Sequence, residues 1–195
     1  MDIATLNASS YSLSEEVARW RFELDVRANR EWWIAFTNPT AGPWKRCEGR
    51  NIDGVVGEVL RFERDSERPD LVLVCDAARA IVIIEAKETL AQLAVPAQLQ
   101  KSCAVVQNLE KRLSEKGGNP FWGERASYTV IPGVLWGRPH GTGRGNFPGI
   151  AASWLAVLGS VPFFGVEVAQ DASGALTCQT IWHRAPKVQL PSFHA

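Results

Sequence analysis

The chain has 195 residues, 46% of them hydrophobic and 22% charged, with 21 basic side chains against 21 acidic ones. This suits one globular domain spanning 1–195 with a sizeable core, and excludes the low-hydrophobicity, high-charge composition of a disordered chain. No apolar run approaches the roughly 20 residues of a membrane helix, and no basic flank or apolar stretch marks a secretory signal at the start, so the expected location is cytoplasmic, away from membranes.

The first predicted element is a helix over 13–36, because Leu13, Val17, Trp20, Leu24 and Ala28 recur at helical spacing. Ser12 with Glu15 three residues later matches a capping box, and Asn38-Pro39 and Gly42-Pro43 close the element. The pattern then changes to strands over 55–63, 71–75 and 80–86. The third, Ile81-Val82-Ile83-Ile84, is apolar on both faces, as in the middle of a covered sheet. A helix over 96–116 stops at Gly117-Gly118, and a fourth strand covers 128–136. The segment 137–149 reads as a Gly- and Arg-containing loop, and 150–158 as a short buried helix. A hairpin of 163–169 and 176–182 turns at Asp171-Ala172-Ser173-Gly174. This order predicts an α/β fold with a mixed central β-sheet flanked by helices.

Four cysteines (Cys47, Cys75, Cys103, Cys178) and three histidines (His140, His183, His194) are widely scattered. No zinc or iron–sulfur spacing occurs, so the cysteines read as ordinary buried thiols. A protein that only coats nucleic acid is usually basic overall, and this one is neutral. Its basic residues are nevertheless 15 Arg to 6 Lys, a bias that suits phosphate and base edges, and an acidic, cation-binding centre inside a basic rim would also give neutrality.

The informative stretch is Arg68-Pro69-Asp70-Leu71-Val72-Leu73-Val74, followed by Ile81-Val82-Ile83-Ile84-Glu85-Ala86-Lys87. Pro69-Asp70 opens one predicted strand and Glu85-Ala86-Lys87 ends the next. If the turn between them centres between Ala77 and Ala78, Asp70 stands directly opposite Glu85. Directly opposed side chains share a face, and period-2 alternation adds Lys87 to it. A turn longer by one residue breaks this grouping. Two carboxylates gathered this way form a hard-oxygen site for Mg²⁺, and an ammonium beside them orients or deprotonates an attacking water and adds positive charge in the transition state. The bland alternative is an exposed hairpin end with weak surface ion pairs.

Pro69-Asp70, a gap of fourteen residues and Glu85-Ala86-Lys87 after an apolar strand resemble the signature of the PD-(D/E)xK nuclease superfamily. The resemblance covers about 13–136 and implies a restriction-endonuclease-like core. It implies that Asp70 and Glu85 bind Mg²⁺ (with Mn²⁺ as a substitute), that the carbonyl of Ala86 is a further ligand, and that Lys87 assists the attacking water. Members often add an acidic residue from the leading helix. At 100° per residue from Leu13, Glu31 is the carboxylate that returns to the apolar stripe, so it is the expected extra ligand. Gln98 and Gln100 resemble the glutamine of exonuclease-like members, although Ser102 stands where a Tyr usually follows.

Arg138 and Arg144, in the loop Arg138-Pro139-His140-Gly141-Thr142-Gly143-Arg144, are candidate DNA contacts, as are Trp32-Trp33 and Trp44 beside Lys45-Arg46. Trp20 and Trp154 read as core. The expected function is Mg²⁺-dependent hydrolysis of DNA phosphodiester bonds by a restriction or repair endonuclease. Cutting two strands calls for a homodimer or a partner subunit. The alternative is a non-catalytic nucleic-acid-binding subunit with the same fold.

Overall fold

The computed structural model describes residues 13–37, 69–75, 77–94, 103, 104, 107, 129–143, 145–159, 162–184 and 190–193. The first helix, α1 (Glu15–Ala28), begins at Ser14, whose Oγ accepts the Val17 N–H at 3.3 Å. The cap is therefore Ser14, not Ser12, and Glu15 and Glu16 in the first turn complement the helix dipole. The helix stops at Ala28 because Asn29 turns extended while its N–H still bonds to the carbonyls of Asp25 and Val26. The chain beyond it, expected to be helical as far as residue 36, instead forms strand β1 (Trp33–Thr37).

The face of α1 that is buried also differs from the apolar stripe of the sequence. It carries Ala18, Arg19, Phe22, Glu23 and Val26. Burial of two charges there is made possible by local pairing. Glu23 Oε1 accepts the Thr37 hydroxyl at 2.7 Å and lies 3.7 Å from Arg19 Nε, and Glu23 Oε2 accepts from Arg27 at 3.3 Å. Hydrophobic periodicity cannot register such a face, because it scores Arg19 and Glu23 as solvent-facing.

The remaining strands are β2 (Leu71–Cys75), β3 (Ala80–Lys87), β4 (Thr129–Arg138), β5 (Phe163–Gln170) and β6 (Leu176–Arg184). A short 3₁₀ helix (Leu90–Ala94) follows β3, and α2 (Phe147–Leu158) joins β4 to β5. The six described strands form one sheet in chain order, with β3, β4 and β5 parallel and the outer pairings antiparallel. The protein is thus α/β with a mixed open sheet. The predicted strand over 55–63 lies outside the described residues, as does all of the 96–116 helix except Cys103, Ala104 and Gln107, which are helical.

The two faces of the sheet are covered differently. Leu71, Leu73, Val82, Ile84, Ala86, Leu135, Phe164 and Val166 pack beneath α1 together with Phe193 from the C-terminal segment. That segment is fastened by Trp32, whose ring stacks on Phe193 at 4.4 Å and whose Nε1–H donates to the Pro191 carbonyl at 3.1 Å. Trp32 is therefore a core residue rather than a contact for bases. The opposite face packs Val134, Trp136, Phe163, Trp154 and Phe147 under α2 and the 3₁₀ helix. The Trp154 Nε1–H bond to the Leu93 carbonyl, at 3.2 Å, joins those two elements.

Gly165 makes this second layer close. A Cβ there would lie 2.6 Å from Trp136 Cζ3 and 2.6 Å from Phe147 Cε2, atoms of two rings stacked on each other and unable to retreat. Gly165→Ala should therefore destabilise by about 1–3 kcal/mol through overpacking. A drop of several degrees in Tm is the expected reading of a thermal melt.

Candidate active site

Strands β2 and β3 pair Leu71 with Ile84, Val72 with Ile83 and Val74 with Ile81. This is the register in which the turn centres between Ala77 and Ala78, so one further step brings Asp70 opposite Glu85. Ladder bonding changes character at that point. The Asp70 N–H still donates to the Ile84 carbonyl at 3.1 Å, but the next rung is made by a side chain, with the Ala86 N–H donating to Asp70 Oδ2 at 2.8 Å. The carboxylate of Asp70 is pinned to the strand that carries Glu85 and Lys87.

Lys87 gathers the group. Its Nζ lies 3.3 Å from Glu85 Oε1, 3.7 Å from Asp70 Oδ2 and 3.5 Å from Glu15 Oε2. Asp70 and Glu85 stand at strand ends, yet they are only 6% and 2% exposed, so this is no solvated hairpin tip. Three carboxylates face one ammonium in a partly dry setting, where charges interact far more strongly than in water.

Glu15 is the acidic residue from the leading helix that reaches this centre, and Glu31 is not. Glu31 lies beyond the end of α1, is exposed, and donates its backbone N–H to Asn29 Oδ1 at 2.8 Å. Measured from Leu13 at 100° per residue, Glu15 falls at about 200°, in the middle of the face that Ala18, Phe22 and Val26 bury. The same rotation applied to the true buried stripe finds Glu15. The helix is held in place by Leu13, which presses on Gly137 at the end of β4. A Cβ at Gly137 would lie 2.8 Å from Leu13 Cγ, and the Gly137 N–H donates to the Glu88 carbonyl one residue past Lys87.

Charge crowding shows in the acidities. Burial and the neighbouring Asp70 carboxylate push the Glu15 carboxyl above its ordinary value, against the pull of Lys87. Burial draws the Lys87 ammonium down, but Asp70, Glu85 and Glu15 outweigh it and the net shift is upward, so Lys87 is protonated at neutral pH. Burial also pushes the Cys103 thiol up to about 11 and the Cys178 thiol to about 12, so neither is a thiolate nucleophile.

Donors of the right kind for a hard divalent cation are present: the Asp70, Glu85 and Glu15 carboxylates and the Ala86 carbonyl, carrying two negative charges in excess of the Lys87 ammonium. Among the described residues, however, no three acidic, His or Cys side chains lie close enough to enclose an ion as they stand. The ammonium is what the three carboxylates surround.

The other expected contacts divide between this edge and segments outside the described residues. Arg138 ends β4 on this same edge of the sheet, with its Nε 3.0 Å from Glu167 Oε1. Glu167, 1% exposed on β5, was not anticipated, although a lone Glu in the apolar run Phe163-Phe164-Gly165-Val166-Glu167-Val168 is the same signal that singles out Glu85. Gln98, Gln100, Trp44 and Arg144 lie outside the described residues. No helix among the described residues is long and apolar enough to cross a membrane. No protein-family profile, curated protein or solved structure matches this chain.

The upward shift at Glu15 predicts a stability effect. A folded-state pKa above the unfolded one carries no penalty below the ordinary 4.5; the penalty grows as pH rises above it and is complete once pH passes the folded value. With a chelator present, Glu15→Gln should therefore raise Tm at neutral pH. The gain should vanish on acidification below 4.5. Paired melts of wild type and variant across that range test it.

Proposed function

We propose that this protein is a Mg²⁺-dependent nuclease with a PD-(D/E)xK centre and a restriction-endonuclease-like core, hydrolysing DNA phosphodiester bonds as a restriction or repair endonuclease. The observation that carries this reading is the meeting of Asp70, Glu85 and Glu15 around the Lys87 ammonium at distances of 3.3–3.7 Å. Its position supports the reading too. The centre lies at the carboxyl end of parallel strands, where open α/β sheets bind their ligands.

In this proposal Asp70, Glu85 and the Ala86 carbonyl hold Mg²⁺, or Mn²⁺ in its place, and Glu15 adds a further oxygen. When bound, the cation supplies a more acidic water and offsets charge on the phosphate oxygens. Lys87, kept protonated by its acidic neighbours, acts as a donor rather than a base: it orients the attacking water and balances charge growing on phosphorus. Asp70 stays aimed through its bond to the Ala86 N–H. Cleavage of both strands of a duplex would use two such centres, in a homodimer or with a partner subunit.

A second reading, a non-catalytic nucleic-acid-binding subunit, is favoured by one observation. The ammonium of Lys87 already occupies the middle of the carboxylates, and no three acidic groups among the described residues enclose an ion as they stand. Incubation with supercoiled plasmid in Mg²⁺ and in chelator separates the two. The nuclease nicks or linearises DNA only with the cation, whereas the binding subunit retards DNA without cutting it.

Variants test the roles. Lys87→Ala should lower the cleavage rate by about 10²–10³, the usual loss for one transition-state electrostatic contact. Asp70→Asn should cost at least as much. Its amide oxygen can still accept the Ala86 N–H, so a melt close to wild type would attribute the loss to chemistry. Cleavage at the wild-type rate by Lys87→Ala would remove the assigned role.

A further inference from the structure

Glu167 is the other buried acid of this sheet face that the reacting centre does not use. It sits on β5 in register with Trp136, on the face that packs Phe163 and Trp136, where an apolar residue would pack without penalty. It meets Arg138, whose Nε stands 3.0 Å from Glu167 Oε1 in an ion-pair contact rather than an aligned hydrogen bond. The Arg138 side chain is 26% exposed, so the guanidinium is anchored from beneath and reaches solvent at the rim.

The register fixes where that rim is. Lys87, Trp136 and Glu167 stand in one row across β3, β4 and β5, and directly registered residues of parallel strands share a face. Arg138, two residues past Trp136, projects from the same face one row further toward the carboxyl edge. Strand spacing and rise place its Cα about 8 Å from that of Lys87. The Trp136 ring does not fill the space between them, because it lies back over Gly165 and stacks on Phe147 at 5.5 Å.

We infer that Arg138, oriented by Glu167, is a second phosphate seat beside the reacting centre, taking the backbone phosphate next to the one that Lys87 faces. The inference rests on the proposed phosphodiester substrate and adds a named contact for the neighbouring phosphate, with a positioning residue behind it. With Nε against Glu167 at 3.0 Å, the two Nη groups are left for a phosphate, the planar fork to which arginine is suited. Glu167 holds the fork in place before the substrate arrives, which lowers the ordering cost of binding.

The test is binding of a short fluorescein-labelled DNA duplex in chelator, followed by anisotropy across a sodium chloride series, with cleavage in Mg²⁺ measured in parallel. Arg138→Ala should weaken binding about tenfold. It should also reduce the slope of log affinity against log salt by about 0.9, the loss of one phosphate contact. Arg138→Lys should keep the slope. Glu167→Gln gives a readout whose sign separates positioning from plain electrostatics. Removing a negative charge by itself tightens DNA binding, whereas loss of positioning weakens it. The weakening should be absent when Glu167→Gln is added to Arg138→Ala. In cleavage, both variants should raise KM with kcat little changed. If Glu167→Gln fails to fold, the Arg138 pair decides.

An Arg138→Ala protein with unchanged affinity and salt slope overturns the inference, as does Glu167→Gln that binds more tightly. Wild-type cleavage alongside such a result leaves the nuclease reading standing. The reverse result, a salt slope that depends on Arg138 with no cleavage under any Mg²⁺ condition, supports the phosphate seat and removes the nuclease.

Discussion

The antiparallel register between β2 and β3 is the constraint on which the candidate site depends. Leu71 paired with Ile84 puts Asp70 beside Glu85. A slip of one residue would send every side chain of one strand to the other face of the sheet. Both faces of these two strands are buried, so burial by itself does not oppose such a slip. Leu71, Leu73, Val82 and Ile84 lie under α1, while Val72, Val74, Ile81 and Ile83 are buried on the other side. Because both faces are apolar, pattern alone does not choose the register. The length of the turn and the Asp70 bond to the Ala86 N–H do.

That register brings Asp70, Glu85 and Lys87 together and the packing of α1 adds Glu15, with consequences for stability as well as chemistry. Buried ion pairs seldom repay the desolvation of their members. Here the imbalance is visible as a carboxyl at Glu15 that resists ionisation and an ammonium at Lys87 that resists deprotonation. The remainder of the molecule supplies the rigidity to hold them. Leu13 wedged against Gly137 fixes the start of α1, the Glu88 carbonyl ties the end of β3 to β4, and the 3₁₀ helix anchors through Trp154.

The sheet also aligns its second buried charge pair with the first. Lys87 and Glu167 are two strands apart in one row, with Arg138 one row above, so the carboxyl edge of β3, β4 and β5 presents cationic groups each backed by buried acids. At the second pair the acid lies beneath the surface and the cation at it, the Glu167 side chain being 1% exposed and that of Arg138 26%. Net charge, a sum over the whole chain, does not record this layering.

Local pattern was sufficient for the strands Leu71–Cys75 and Ala80–Lys87, for the closing hairpin around Asp171, and for the order and spacing of Asp70, Glu85 and Lys87, because alternation, turn residues and a short apolar run are properties of adjacent residues. The helix expected over 13–36 is shorter and buries another face than its apolar stripe. Asn29 ends it through backbone geometry, and Arg19 and Glu23 are buried only because Thr37 and Arg27 satisfy Glu23 from outside the hydrophobic pattern. Taking the apolar stripe as the inner face selected Glu31, on the side opposite Glu15. By itself, then, the sequence determined which charged residues the hairpin brings together. Only the tertiary structure decided which helical carboxylate joins them and that Arg138 rests on Glu167. Those contacts join residues far apart in the chain, and their geometry is set by packing across elements that no local period encodes.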